Sequence, residues 1–116
     1  MIYIPVLASE LVDRISLLEI AKENAQDKEQ RRQLTKKLDP LLIIFQDEFI
    51  WADAVKQSLV DLRDVNRKLE DINCAIAIYL DQGESGETFQ HLVSSTFTFE
   101  KQKEKILKEI DRIHSA

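Results

Sequence analysis

Five charged residues crowd one predicted helix near the start of this chain: Glu10, Asp13, Arg14, Glu19 and Lys22. Carboxylates three residues apart, as at positions 10 and 13, share a helix face, where they could bind a polar ligand or move a proton; Arg14 and Lys22 would supply countercharge. Asn66 and Lys103 are candidates to contribute to such a site from other helices. The surroundings make the group unusual. Leu11, Ile15 and Leu18 form one apolar stripe, while Val12, Leu17, Ile20 and Ala21 lie elsewhere around the cylinder at about 100° per residue, so no face is purely polar. Lys22, seven residues after Ile15 and four after Leu18, falls on the stripe itself. These charges are either paired at the edge of a core or lie at a contact with something else. Intramolecular ion pairs and helix caps explain the same residues, and the sequence favours them over a ligand site.

Other chemistry finds less support. An all-helical hydrolase holding Mg²⁺ needs clustered carboxylates; Glu10/Asp13 and Asp61/Asp64 have the right i,i+3 spacing but not the full pattern, and 21 acidic residues produce such spacings by chance. His91 and His114 lack any partner spacing for a metal, so no metal site and no cofactor is expected. Cys74 reads as a buried, inert thiol. No phosphate-cradling glycine loop or nucleophile elbow is present. Between Lys28 and Lys37 stand five cations and one anion, yet no aromatic is interleaved, and the overall charge of −5 disfavours nucleic acid and anionic membranes as partners.

The elements that must position these residues are helices. At 116 residues the chain fits one domain, with 44% hydrophobic residues to build a core. Two glycines and two prolines leave little material for tight turns. The single cysteine excludes an intrachain disulfide and agrees with a cytoplasmic location. The apolar start, Ile2 to Leu7, has no basic residue ahead of it and meets Glu10 too soon, so it reads as an extended arm over residues 1–8 rather than a signal peptide or a membrane span. Ser9 then suits the N-cap of a first helix over about 9–26. Asp27 with Gln30 suits a capping box for a basic helix over 28–38, and Asp39-Pro40 reads as the N-cap and first position of another. That third element runs over about 40–81 as one helix interrupted or bent near 51–53, with two separate helices as the alternative. Its apolar residues, including Leu41, Ile44, Phe45, Phe49 and Trp51, cover nearly every side, which points to an oligomer contact. Val55, Leu62, Leu69 and Ile76 repeat every seven residues, with Leu59, Asn66, Asn73 and Leu80 four after each, a seam in which the asparagines would fix register. Gly83 and Gly86 mark the one clear loop. A last helix over about 87–114 repeats Leu92, Phe99, Ile106 and Ile113, although Val93 to Phe99 has the composition of a strand.

The run Glu10-Leu11-Val12-Asp13-Arg14-Ile15-Ser16-Leu17-Leu18-Glu19-Ile20, five residues after Pro5, resembles the N-terminal pattern of a family of small bacterial proteins known as a domain of unknown function: Glu-Leu-(Ile/Val)-Asp-(Lys/Arg)-Ile-(Ser/Thr)-(Ile/Leu)-Leu-Glu-Ile. Leu62, Val65, Asn66, Leu69 and Ile72 are similar to its second pattern, and Phe89, Leu92, Phe97, Lys103, Ile106 and Ile110 to its aromatic, basic and helical ending. The chain departs from it at Glu70, where the family has tryptophan, and at Glu100-Lys101, where it has asparagine-aspartate, so no site at those positions carries over. The resemblance implies a helical protein without assigned activity, associated with genes of surface-polysaccharide assembly, and favours helix over strand for 93–99. The sequence therefore predicts an all-α protein: an antiparallel helical bundle or hairpin of long helices with a short extended N-terminal arm. It points to a non-enzymatic interaction or accessory protein acting as a homodimer, with a further protein partner possible and a small-molecule binder or enzyme using the helix 1 charges as the alternative.

Overall fold

Where each helix begins and ends is decided by which backbone groups find partners. We analysed a computed structural model that describes residues 7–48, 53 and 55–115. The expected arm over 1–8 lies almost entirely outside these residues. Helix α1 spans Ala8–Glu23, α2 Lys28–Glu48, α3 Lys56–Asp81 and α4 Glu87–Ser115, so that 89% of the described residues are helical and none forms a strand.

Ser9 is not the cap of α1. Leu7 holds that position without a side-chain hydrogen bond, and Ser9 lies inside the first turn. Its backbone N–H donates to Asp111 Oδ1 at 2.9 Å and its hydroxyl to Asp111 Oδ2 at 2.7 Å. A carboxylate on α4 thus satisfies a donor that the start of α1 leaves open, where the helix dipole also favours negative charge. The helix ends at Glu23 rather than near 26: Asn24 N–H makes the last i→i−4 bond, to the Ile20 carbonyl, and Ala25 N–H turns to the Lys22 carbonyl three residues back at 3.3 Å. That frees Asp27, whose Oδ1 accepts from Gln30 N–H at 2.8 Å, while Gln30 Oε1 accepts from Gln26 N–H at 3.1 Å.

Pro40 does not restart a helix; α2 runs through it without interruption. Leu34, Leu38, Leu41, Leu42 and Phe45 make one buried or half-buried stripe on both sides of the proline. Packing of that stripe outweighs the lost backbone donor and the ring clash, which cost about 3 kcal/mol in a helix interior. The long element expected over 40–81 is two helices, separated between Glu48 and Lys56. Residues 51 and 52 are outside the described set.

The α3 terminus is a Schellman motif. Gly83, at φ +70°, donates to the Leu80 carbonyl at 3.1 Å and Glu84 N–H to the Tyr79 carbonyl at 2.9 Å, a conformation that suits glycine. Residues 93–99 are helical. Hydroxyls of Ser95 and Thr96 donate to carbonyls four residues back, at 3.0 and 3.2 Å, so their polar groups are spent within the helix.

Short turns make α1 and α2 one antiparallel pair and α3 and α4 another. Ser9 meets Asp111 and Asp13 meets Lys103, so α1 also runs against α4 and hence along α3. The core gathers Ala8 and Val12 of α1, Val55, Leu62 and Val65, and Ile110 of α4. Only α1 packs on all three other helices; α2 makes at most marginal contact with α3 and α4. Lengths are unequal. At 1.5 Å per residue, α1 is about 24 Å long, α3 about 39 Å and α4 about 43 Å. The excess projects as a two-helix arm, and no residue of 70–81 or 87–109 is fully buried.

The continuity of α2 can be tested with Pro40→Ala, which is expected to raise stability by about 1–3 kcal/mol in urea unfolding followed by circular dichroism. An unchanged midpoint would mean that a helix does begin at Pro40.

Candidate functional site

Three of the residues singled out from the sequence converge. Asp13 Oδ1 accepts from Asn66 Nδ2 at 3.0 Å and receives Lys103 Nζ at 3.2 Å, joining α1, α3 and α4 at one oxygen. Asn66 Nδ2 also donates to Ser16 Oγ at 3.1 Å. The Asp13 and Lys103 side chains keep only 21% and 17% of their surface, so their attraction is less screened than that of a surface pair. Asn66 is buried, and its Oδ1 finds no donor among the described residues. Such an acceptor costs stability, which makes Asn66 a residue held for what its amide positions. It positions α1 rather than a seam partner, and Asn73, the second seam asparagine, is exposed.

Beside this cluster lies a cleft of about 390 Å³. It exists because α2 and α3 both lean on α1 while barely touching each other. Val12, Ile15 and Ser16 of α1 form its floor, Leu42 and Phe45 one wall, and Leu59 and Leu62 the other. Charge is confined to Lys56, Glu19, Arg63, Asp64 and Arg67. Glu19 pairs with Arg63, and Arg67 Nη2 lies 2.7 Å from Glu23 Oε1. Both pairs are spaced i,i+4 on their own helices, a matched ladder in which the partners' numbers rise together. An apolar chamber with guanidinium groups at its edge suits a ligand with a hydrocarbon body and a carboxylate or phosphate head.

The remaining candidates stay apart. Glu10 and Arg14 are exposed and share no described bond with the cluster, and Lys22 is half-buried in the last turn of α1, where a cation complements the helix dipole. Leu41 and Phe45 are half-buried, Phe45 against the core, whereas Ile44 is exposed; Phe49 and Trp51 lie outside the described residues. Cys74 is exposed rather than buried, its thiol 3.8 Å from Glu70 Oε1. Among the described residues no group of three His, Cys, Asp or Glu could hold a metal, and no helix is long and apolar enough to cross a membrane. The sequence reading missed Ser16, Arg63, Arg67 and Asp111. Matched i,i+4 spacing of Glu19/Glu23 with Arg63/Arg67 was the available signal for two of them. On the exposed face of α4, a hydrogen bond from Arg112 holds the Glu109 carboxyl below the usual glutamate range, at 2.9 Å from Arg112 Nε to Glu109 Oε2. A lowered carboxyl stabilises the fold above its unfolded value and loses that contribution as pH falls through the folded one.

Comparison of the chain with known protein families, with curated proteins and with solved structures found no match. Its function therefore has to be argued from its own geometry.

Removing Asp13 would leave the Lys103 ammonium unneutralised and deprive the Asn66 amide of an acceptor. Asp13→Ala is expected to cost about 1–3 kcal/mol in urea unfolding. Combined with Asn66→Ala, the two losses should fall short of additive by more than about 0.5 kcal/mol. Strict additivity would mean that the cluster does not act as a unit.

Proposed function

We propose that this protein is a non-enzymatic helical interaction protein that acts as a homo-oligomer. The observation that carries the reading is the arm. Its seam is buried as far as Leu69 and then continues through half-buried Ile76 to Leu80, which is 62% exposed, near Ile78 at 57%, while Phe97, closer to the base of the arm, is 67% exposed. Apolar surface maintained over a stretch that finds no intramolecular cover is characteristic of a contact with another chain. The stretch from Leu41 to Trp51 has a smaller part in this reading, since Leu41 and Phe45 already face inward. Coiled-coil-like pairing of helices is part of the proposal. So are a cytoplasmic location, which the lone cysteine supports, and membership of the uncharacterised bacterial family that residues 10–20 resemble.

A second reading rests on the cleft: a small-molecule binder that holds an amphipathic anion between α2 and α3, with Arg67 at the head group. The charges of helix 1 would serve it through Glu19 and Glu23, which orient the two arginines.

Light scattering of the full chain at micromolar concentration is expected to give twice the 13.5 kDa protomer mass. A protomer mass at every concentration would rule out the leading reading. For the second, a panel of fatty and aromatic carboxylates should contain a compound that raises the melting temperature of the native chain and fails to do so for Arg67→Ala. If no compound shifts the native chain, the cleft is only a packing gap.

A further inference from the structure

The arm and the start of α2 carry opposite charge. From Leu69 to Glu100 the sequence has six acidic residues and neither lysine nor arginine, and Asp81, Glu84 and Glu87 of that set lie at the tip of the arm, all exposed. Lys28, Arg31 and Arg32, also exposed, open α2, in a stretch through Lys37 that holds five cations against Glu29. Within one molecule the two patches are held apart. Glu23, the last residue of α1, is tied to Arg67, which sets the α1–α2 turn at the base of the arm. Asp81 lies fourteen residues further along a rigid helix, about 21 Å away.

We propose that two copies of this chain pair their arms antiparallel, so that the acidic tip of each docks against the basic start of α2 in the other. The proposal rests on the homo-oligomer reading and supplies its geometry. Antiparallel overlap by one arm length cancels the separation that keeps the patches apart within a molecule. The apolar surface follows the same rule. Lys68 lies 5.4 Å from the centre of the Phe99 ring, so Phe97 belongs to the base of the arm, whereas Ile78 and Leu80 belong to its tip. Overlapped arms therefore set the Ile78 and Leu80 end of one against the Phe97 end of the other, twice. A two-fold axis generates both contacts from one, and Ile78 and Leu80, which α4 leaves exposed in the protomer, gain cover from the facing arm. Because the arm is short, the charged contacts at its two ends contribute to affinity as well as alignment, and association weakens with salt.

Charge reversal in the full chain tests this. Lys28→Glu with Arg31→Glu reverses the base, and Asp81→Lys with Glu84→Lys reverses the tip. At positions 28 and 81 the new charges suit the helix dipoles, and circular dichroism checks that both variants fold. Each variant alone should dimerise about tenfold or more weakly than the native chain by sedimentation equilibrium. Mixed together they should restore native affinity as a heterodimer, since acid then faces base at both contacts. A native chain that dimerises equally well in both variants and in high salt would overturn this geometry while leaving the homo-oligomer reading in place. A monomeric native chain would overturn both. Recovery of oligonucleotide binding by the basic patch, with no restoration on mixing, would assign that patch to a different partner and reject the pairing.

Discussion

Helix α1 is sixteen residues long and has to satisfy three neighbours at once. Three neighbours cover most of its surface and leave one narrow exposed face, Glu10, Arg14, Leu17 and Ala21, which is why polar and apolar residues mix around it without a clean division. Each of its charges is resolved differently. Asp13 is shared between Asn66 and Lys103, Glu19 and Glu23 reach the arginines of α3, and Glu10 and Arg14 are left in water. The hydrophobic contacts of Ala8 and Val12 with Val55, Leu62 and Ile110 hold the helices together, but they are non-directional. Polar contacts to α1 set which helix lies where.

Because the other elements depend on α1, its shortness shapes the molecule. Helix α2 touches little besides α1, and the space that this leaves against α3 becomes the cleft. Helices α3 and α4 continue past the end of α1, and the space beyond becomes the arm. Both features follow from one short central helix. The cleft is a concave apolar site with charge at its edge, the arm a convex apolar site with charge at its tip. The two readings of function correspond to these two places.

The all-helical architecture was legible because periodicity and the scarcity of glycine and proline agree. Gly83 and Gly86 marked the loop in advance, and the left-handed backbone at Gly83 gives the reason that glycine stands there. Two local signals misled for the same reason. Ser9 is a good N-cap by type and Pro40 a good helix start by type, but each was overridden by a partner distant in sequence: Asp111 for Ser9, and the surface of α1 for the stripe that passes through Pro40. Cys74 was misjudged because the helix that carries it extends past its cover. Of the candidate site, Asp13, Asn66 and Lys103 could be nominated by type, yet their convergence on one oxygen is a tertiary fact. Spacing within one helix could not supply it.

The cap on α1 also bears on the order in which the protein is made. The donor at Ser9 and its acceptor at Asp111 are 102 residues apart, and α1 has no side-chain cap of its own. An isolated helix of this length is marginal in water. While the chain emerges from the ribosome, α1 is therefore an unfinished helix, complete only when α4 has been synthesised and folds back along it. Both hairpins close over short loops and can form locally, whereas docking α1 against α4 closes a much longer stretch of chain. Until then only the adjoining α2 can shield its apolar stripe. The two partners of that cap therefore meet only once the hairpins have docked on each other.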